Sequence, residues 1–166
     1  EIANCLVGSE MCIRDRAMGG AKNHGIILPD ADMTQAVKDI SGAAYGSAGE
    51  RCMALSTVVT VGDDTGDRFI DAMRGEIERL NVGISTDPKA DYGPVVTAAH
   101  KQRVSDYIQM GVDEGAELVV DGRGFQLQGY EDGFFLGPSL FDRVSPTAQS
   151  YQDEIFGPVL QVLRTE

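Results

Sequence analysis

From residue 17 onward the apolar positions follow two alternating spacings. "GIIL" (25–28) is a short apolar run closed by Pro29 and reads as a buried strand. Met33, Ala36, Val37, Ile40 and Ala44 then recur three and four apart, which predicts a helix that Asp30 or Asp32 can cap. Gly46 and Gly49 loosen its end. "LSTVVTV" (55–61) is rich in β-branched residues and predicts a second strand. Phe69, Ile70, Met73, Ile77 and Leu80 mark a second helix ending near Gly83, followed by a loop over 84–96. Thr97 can cap a third helix that carries Val104, Tyr107, Ile108 and Val112 and stops near Gly115. "AELVVDG" (116–122) predicts a strand, residues 133–144 hold another extended segment, and "PVLQVL" (158–163) a last one. This alternation predicts an α/β domain with a mainly parallel sheet and flanking helices. Such sheets are expected to place ligands at the carboxyl ends of their strands.

The first sixteen residues, "EIANCLVGSEMCIRDR", do not join the pattern. As a helix they hold no apolar face, as a strand they do not alternate, and as a signal peptide they lack an adequate apolar stretch. Leu6 to Arg16 resembles the translation of a transposase-type sequencing adaptor. Residues 1–16 are therefore expected to be a non-native segment, and 17–166 the domain proper. Setting the segment aside removes Cys5 and Cys12 and leaves Cys52 as the one cysteine of the domain. A lone cysteine forms neither an intramolecular disulfide nor a multi-cysteine zinc site, and it suits a reducing, intracellular setting.

Charge narrows the partners. With 26 acidic and 14 basic residues the net charge is -12, which disfavours nucleic acid and anionic membrane surfaces. Small anionic ligands stay possible, because one well-placed arginine binds a carboxylate. No apolar run approaches the length of about 18 residues that a transmembrane helix needs, and no spacing of ligating residues suggests a metal.

Chemistry concentrates around Cys52. Small residues at 42–44 and 46–49 leave room for a ligand, and the neighbouring Arg51 can favour the nucleophilic thiolate. From spacing alone, Cys52 reads more readily as a small buried side chain than as a nucleophile, and Arg51 can be a surface charge or a partner for a carboxylate. "GSAG" (46–49) is no dinucleotide fingerprint. His100, at the start of a polar helix, is expected to be solvated, and His24 is assigned no chemistry.

Two motifs carry a resemblance. "GERCMA" (49–54) is similar to the active-site motif of the aldehyde dehydrogenase superfamily, and "DEIFGPV" (153–159) resembles its second signature; they stand in the family's order, about one hundred residues apart. "GGAKNHGIILPDAD" (19–32) and "GAAYGSAGERCMALS" (42–56) further resemble the CoA-acylating branch, the methylmalonate- and malonate-semialdehyde dehydrogenases. The similarity covers residues 17–166.

The resemblance implies a catalytic domain in which Cys52 is the nucleophile and passes the acyl group through a thioester to CoA. It implies that Arg51 meets a substrate carboxylate, that Glu154, Phe156 and Gly20 contact NAD, and that the full-length protein is a homo-oligomer, cytoplasmic or, in a eukaryote, in the mitochondrial matrix. The hydrolytic branch has a general-base glutamate in an E-L-G-G segment. Here "AMGG" puts Ala17 at that place, and alanine cannot activate water. The family's dinucleotide-binding domain would lie upstream and its C-terminal interface segment downstream, so the sequence is expected to be part of a catalytic domain and inactive alone. The alternatives are a hydrolytic aldehyde dehydrogenase, a thiol hydrolase pairing Cys52 with His24 or His100, and an inert fragment.

Overall fold

The computed structural model describes residues 19–166. The expectations for residues 1–16 and for Ala17 fall outside the described residues. Five strands form one sheet: β1 (Asn23–Ile27), β2 (Leu55–Val61), β3 (Glu117–Val120), β4 (Ser139–Asp142) and β5 (Val159–Thr165). The helices are α1 (Met33–Tyr45), α2 (Asp63–Ile77), α3 (Ala98–Asp113) and a single turn, α4 (Gln149–Gln152). The sheet order is β1-β2-β5-β4-β3. All neighbours run parallel except β3 and β4, which are antiparallel. The α/β class with a mainly parallel sheet and flanking helices is therefore present. The exception has a local cause: no helix crosses over between β3 and β4, and Gly137 N donates to Gly122 O (2.9 Å), folding the connection back on itself.

Helix boundaries follow capping chemistry. Asp32 accepts from the backbone N–H of Thr34 and Gln35 and starts α1; Thr97 accepts from His100 N and starts α3. Where the sequence predicted a second helix reaching Gly83, α2 closes at Ile77, and its exit tightens into three-residue turns, Arg79 N to Glu76 O and Leu80 N to Ile77 O. The first strand starts at Asn23, two residues earlier than the apolar run suggested, because it pairs with β2 through backbone groups that a hydrophobicity pattern does not register.

β5 is buried from Val159 to Leu163 without alternation, which requires cover on both faces. α1 and α2 pack on each other and on β2 and β5, while α3 packs against α4 and β3. Tyr45, Phe69, Met73, Ile108, Leu140, Phe141 and Leu160 fill the interior. No helix among the described residues is long and apolar enough to cross a membrane.

Candidate active site

The chain between α1 and β2 reverses through three consecutive left-handed residues, Ser47 (φ 55°), Ala48 (φ 55°) and Gly49 (φ 69°). Gly49 is required twice over. Its φ favours glycine, and a Cβ there would lie 2.1 Å from Gly157 O. This backbone contact joins the "GERC" segment to the "FGP" segment. Beyond it, Ala54 N donates to Arg51 O (2.9 Å) and closes a turn that presents Cys52 exposed at its second position. The turn is held from β1, where Asn23 Nδ2 donates to both Cys52 O and Ala54 O at 2.9 Å. The Cys52 N–H meets no acceptor among the described residues.

Arg51 is exposed but not adrift. Its Nη2 donates to Gly42 O (2.8 Å) and Ala43 O (3.3 Å), carbonyls of the last turn of α1. The cation thus caps the negative end of the helix. The sequence suggested a surface charge, a carboxylate partner or a substrate group; helix capping is a further role that only the fold shows.

The second motif follows α4. Lys22 Nζ donates to Ser150 O (3.0 Å) and Asp153 O (2.9 Å) and fixes this turn beneath Glu154. Burial lowers the Lys22 pKa from 10.5 to about 8, against the attraction of Asp153 and Glu154. The Glu154 carboxylate accepts no hydrogen bond from a described side chain or backbone N–H, and a Cβ at Gly20 would stand 3.3 Å from its Oε2. Gly20 therefore leaves space beside an available acceptor. Phe156 sits at φ 60°, a strained conformation for a non-glycine residue.

Cys52, Arg51, Glu154 and Phe156, with Asn23 and Ala21, line one concavity enclosing about 350 Å³, part of it open to solvent. Gly20 borders the neighbouring recess that shares Glu154 and Ala21. The concavity lies at the amino ends of β1, β2 and β5, not at the carboxyl ends, because both motif segments lead into strands.

His100 corrects a second expectation. Its side chain is 12% exposed, and its Nε2 lies 2.6 Å from Phe156 O and 3.3 Å from Glu50 Oε1. Solvation is replaced by a packed position between the two motifs. His24 uses both ring nitrogens elsewhere, Nδ1 with Lys22 O and Nε2 with Tyr151 OH, each at 2.8 Å. Among the described residues no hydrogen bond joins either histidine to Cys52.

Asn23, Glu50 and Lys22 were not predicted as site residues, and His100 entered only as a base for Cys52 in the thiol-hydrolase alternative. The first three fall inside the segments that carry the family resemblance, but neither their types nor their spacing marks them as site residues, since their partners are backbone groups or lie far along the chain. For His100 a signal existed: His100, Arg103, Val104 and Tyr107 repeat at one-face helical spacing and mix polar with apolar types.

Residues 8–166 match the aldehyde dehydrogenase family. The chain belongs to that family. It is 54% identical over 157 residues to malonate-semialdehyde dehydrogenase of Pseudomonas aeruginosa, covering 95% of this chain and 32% of that protein. It is 43% identical over 159 residues to the human methylmalonate-semialdehyde/malonate-semialdehyde dehydrogenase [acylating], mitochondrial, covering 96% and 29%. Among solved structures, methylmalonate-semialdehyde dehydrogenase from Oceanimonas doudoroffii is 53% identical with a TM-score of 0.87, covering 89% of this chain and 30% of that one. A 1-pyrroline-5-carboxylate dehydrogenase from Thermus with bound NAD is 34% identical with a TM-score of 0.78, covering 89% and 27%. This aldehyde dehydrogenase segment thus spans about a third of the length of the curated relatives it matches.

Proposed function

We propose that this chain forms part of the catalytic domain of an NAD-dependent, CoA-acylating dehydrogenase of malonate or methylmalonate semialdehyde. The observation that carries the reading is the meeting of Cys52 with Glu154 and Phe156 in one concavity, from opposite parts of the sequence. The names of the relatives support the substrate class and the acylating step.

The residues suit the chemistry. The Cys52 thiolate adds to the aldehyde carbon, forming a C–S bond and an alkoxide. The Cys52 N–H, which meets no acceptor among the described residues, is available to donate to that oxyanion. Bound NAD would supply the hydride acceptor, so that re-forming the C=O bond would leave the acyl group on Cys52 as a thioester. The unoccupied acceptor oxygens of Glu154 suit ribose hydroxyls, with the space at Gly20 beside them and the Phe156 ring on the same wall. The thiol of CoA then attacks the thioester carbonyl, takes the acyl group and returns the Cys52 thiolate. In either substrate the bond from the α-carbon to the carboxylate breaks to release carbon dioxide, its electron pair is delocalised into the thioester carbonyl and a solvent proton is taken up at the α-carbon, so methylmalonate semialdehyde gives propionyl-CoA and malonate semialdehyde acetyl-CoA. Arg51 presents a planar fork to the substrate carboxylate. Ala17, where the hydrolytic branch has glutamate, favours a thiol over water as acyl acceptor.

The test is NADH production at fixed semialdehyde in a full-length enzyme carrying this segment. Without CoA a single burst is expected, and with CoA sustained turnover. Equal steady rates in both conditions would exclude the acylating reading in favour of the hydrolytic one.

A further inference from the structure

Helix α3 turns one face to the segment 153–157, and each residue of that face holds a different part of it. Tyr107 OH donates to Asp153 Oδ2 (2.9 Å), and Arg103 Nη2 donates to Glu154 O (2.9 Å). The Val104 side chain lies so close to Gly157 that a Cβ there would stand 2.6 Å from it. His100 Nε2 reaches Phe156 O at 2.6 Å, and its ring meets the Phe156 ring edge-on, centroids 6.3 Å apart at 63°. The four positions are spaced as one helical stripe.

His100 differs from the other three in also reaching the first motif. Its Nε2 is 3.3 Å from Glu50 Oε1, two residues before Cys52, and the same oxygen accepts from Val96 N at 3.2 Å. The Phe156 oxygen is a pure acceptor, so His100 must carry its proton on Nε2. The bond falls on a residue held at φ 60°, a conformation that costs a non-glycine residue free energy.

We propose that His100 is a positioning residue. Its Nε2–H holds Phe156 in the left-handed conformation and in register with Glu50, and so sets the spacing between the wall formed by Glu154 and Phe156 and the turn that presents Cys52. The inference rests on the reading of those two walls as cofactor and nucleophile sides of one site.

Two substitutions separate the donor from the ring. His100→Gln keeps an N–H near the Nε2 position and loses the ring; His100→Phe keeps ring packing and loses the donor. Three measurements follow. Nitrogen chemical shifts of the neutral imidazole in the unsubstituted chain should show the Nε2–H tautomer. Amide exchange at Val96 and Val159 should speed up roughly 2- to 10-fold in His100→Phe, the shift expected for one lost hydrogen bond, and stay near the original rate in His100→Gln. In the full-length enzyme, kcat should fall with His100→Phe and be largely restored with His100→Gln. An Nδ1–H tautomer, or equal exchange and equal kcat in the two variants, would overturn the inference. If the Phe variant does not fold, the tautomer and the Gln variant still decide. Failure of the dehydrogenase reading would appear in the unsubstituted enzyme, whereas failure of this inference appears in the tautomer or in the comparison of the two variants.

Discussion

Gly49→Ala is the sharpest perturbation of the join between the two motifs. The new Cβ would lie 2.1 Å from Gly157 O and 2.6 Å from Gly157 C, both backbone atoms that no rotamer change can move aside. The residue would also keep a φ of 69°. A left-handed non-glycine residue costs about 1–2 kcal/mol, and overpacking a tight contact about 1–3 kcal/mol, so the total is roughly 2–5 kcal/mol. For a chain of this size each kcal/mol moves the melting temperature by roughly 2–4 °C, so a fall of about 4–20 °C is expected. Gly42→Ala is the matched control. That glycine lies within α1 with nothing inside 4 Å of the added methyl, so it should gain about 0.5–1 kcal/mol from reduced chain entropy. Thermal unfolding followed by far-ultraviolet circular dichroism is the assay, because the chain has no tryptophan to report by fluorescence. Gly49→Ala melting at or above the unsubstituted chain, or both alanines shifting stability alike, would refute the contact between the segments.

Three further outcomes are expected. Arg164 pairs with Asp142 (2.5 Å) with both side chains nearly buried, so Arg164→Met should destabilise by about 3–5 kcal/mol in urea unfolding by stranding the carboxylate; a loss near zero would show that water reaches it. Lys22 releases its proton from about pH 8 in the folded state but near 10.5 when unfolded; unfolding therefore takes up a proton in that window, and stability should rise from pH 8 to 10.5 in the unsubstituted chain relative to Lys22→Met. Parallel stability curves for the two would contradict the desolvation of Lys22. In the full-length enzyme, Arg51→Leu should lower kcat/KM for carboxylated semialdehydes roughly 10- to 150-fold, the value of a lost charge-assisted hydrogen bond, and spare simple aliphatic aldehydes; equal losses for both would mean that Arg51 serves structure alone.

The elements were legible because each buries an apolar stripe or run with its own period, as in Met33 to Ala44 and Leu55 to Val61. The caps at Asp32 and Thr97 were legible from local side-chain chemistry. The antiparallel β3–β4 pair was not, since strand direction depends on how a long connection returns and no residue type encodes that. Cys52, Arg51, Glu154 and Phe156 stood out through two motifs, but their meeting depends on Gly49 touching Gly157, a contact made across more than one hundred residues. The carboxyl-end expectation failed because it describes open sheets whose ligand loops follow the strands, whereas both signature segments here precede them. His100 was misread for a related reason: a polar residue near a helix start is solvated by default, and only the packing of α3 on 153–157 places acceptors in front of it.

The helix cap made by Arg51 and the substrate contact proposed for it look exclusive but are compatible. Only Nη2 is engaged, on two neutral carbonyls at the end of α1, while Nε and Nη1 donate to nothing among the described residues. A guanidinium carries five donors in a fixed plane, so one edge can stay on the helix while the other receives a carboxylate. Holding Nη2 on the carbonyls removes rotamer freedom before any ligand arrives, which lowers the entropy lost on binding. It also ties the residue beside Cys52 to the most regular element nearby. Substrate recognition and placement of the thiol would then share one anchor. A lysine could not substitute, since its single nitrogen would have to leave the helix to reach the ligand.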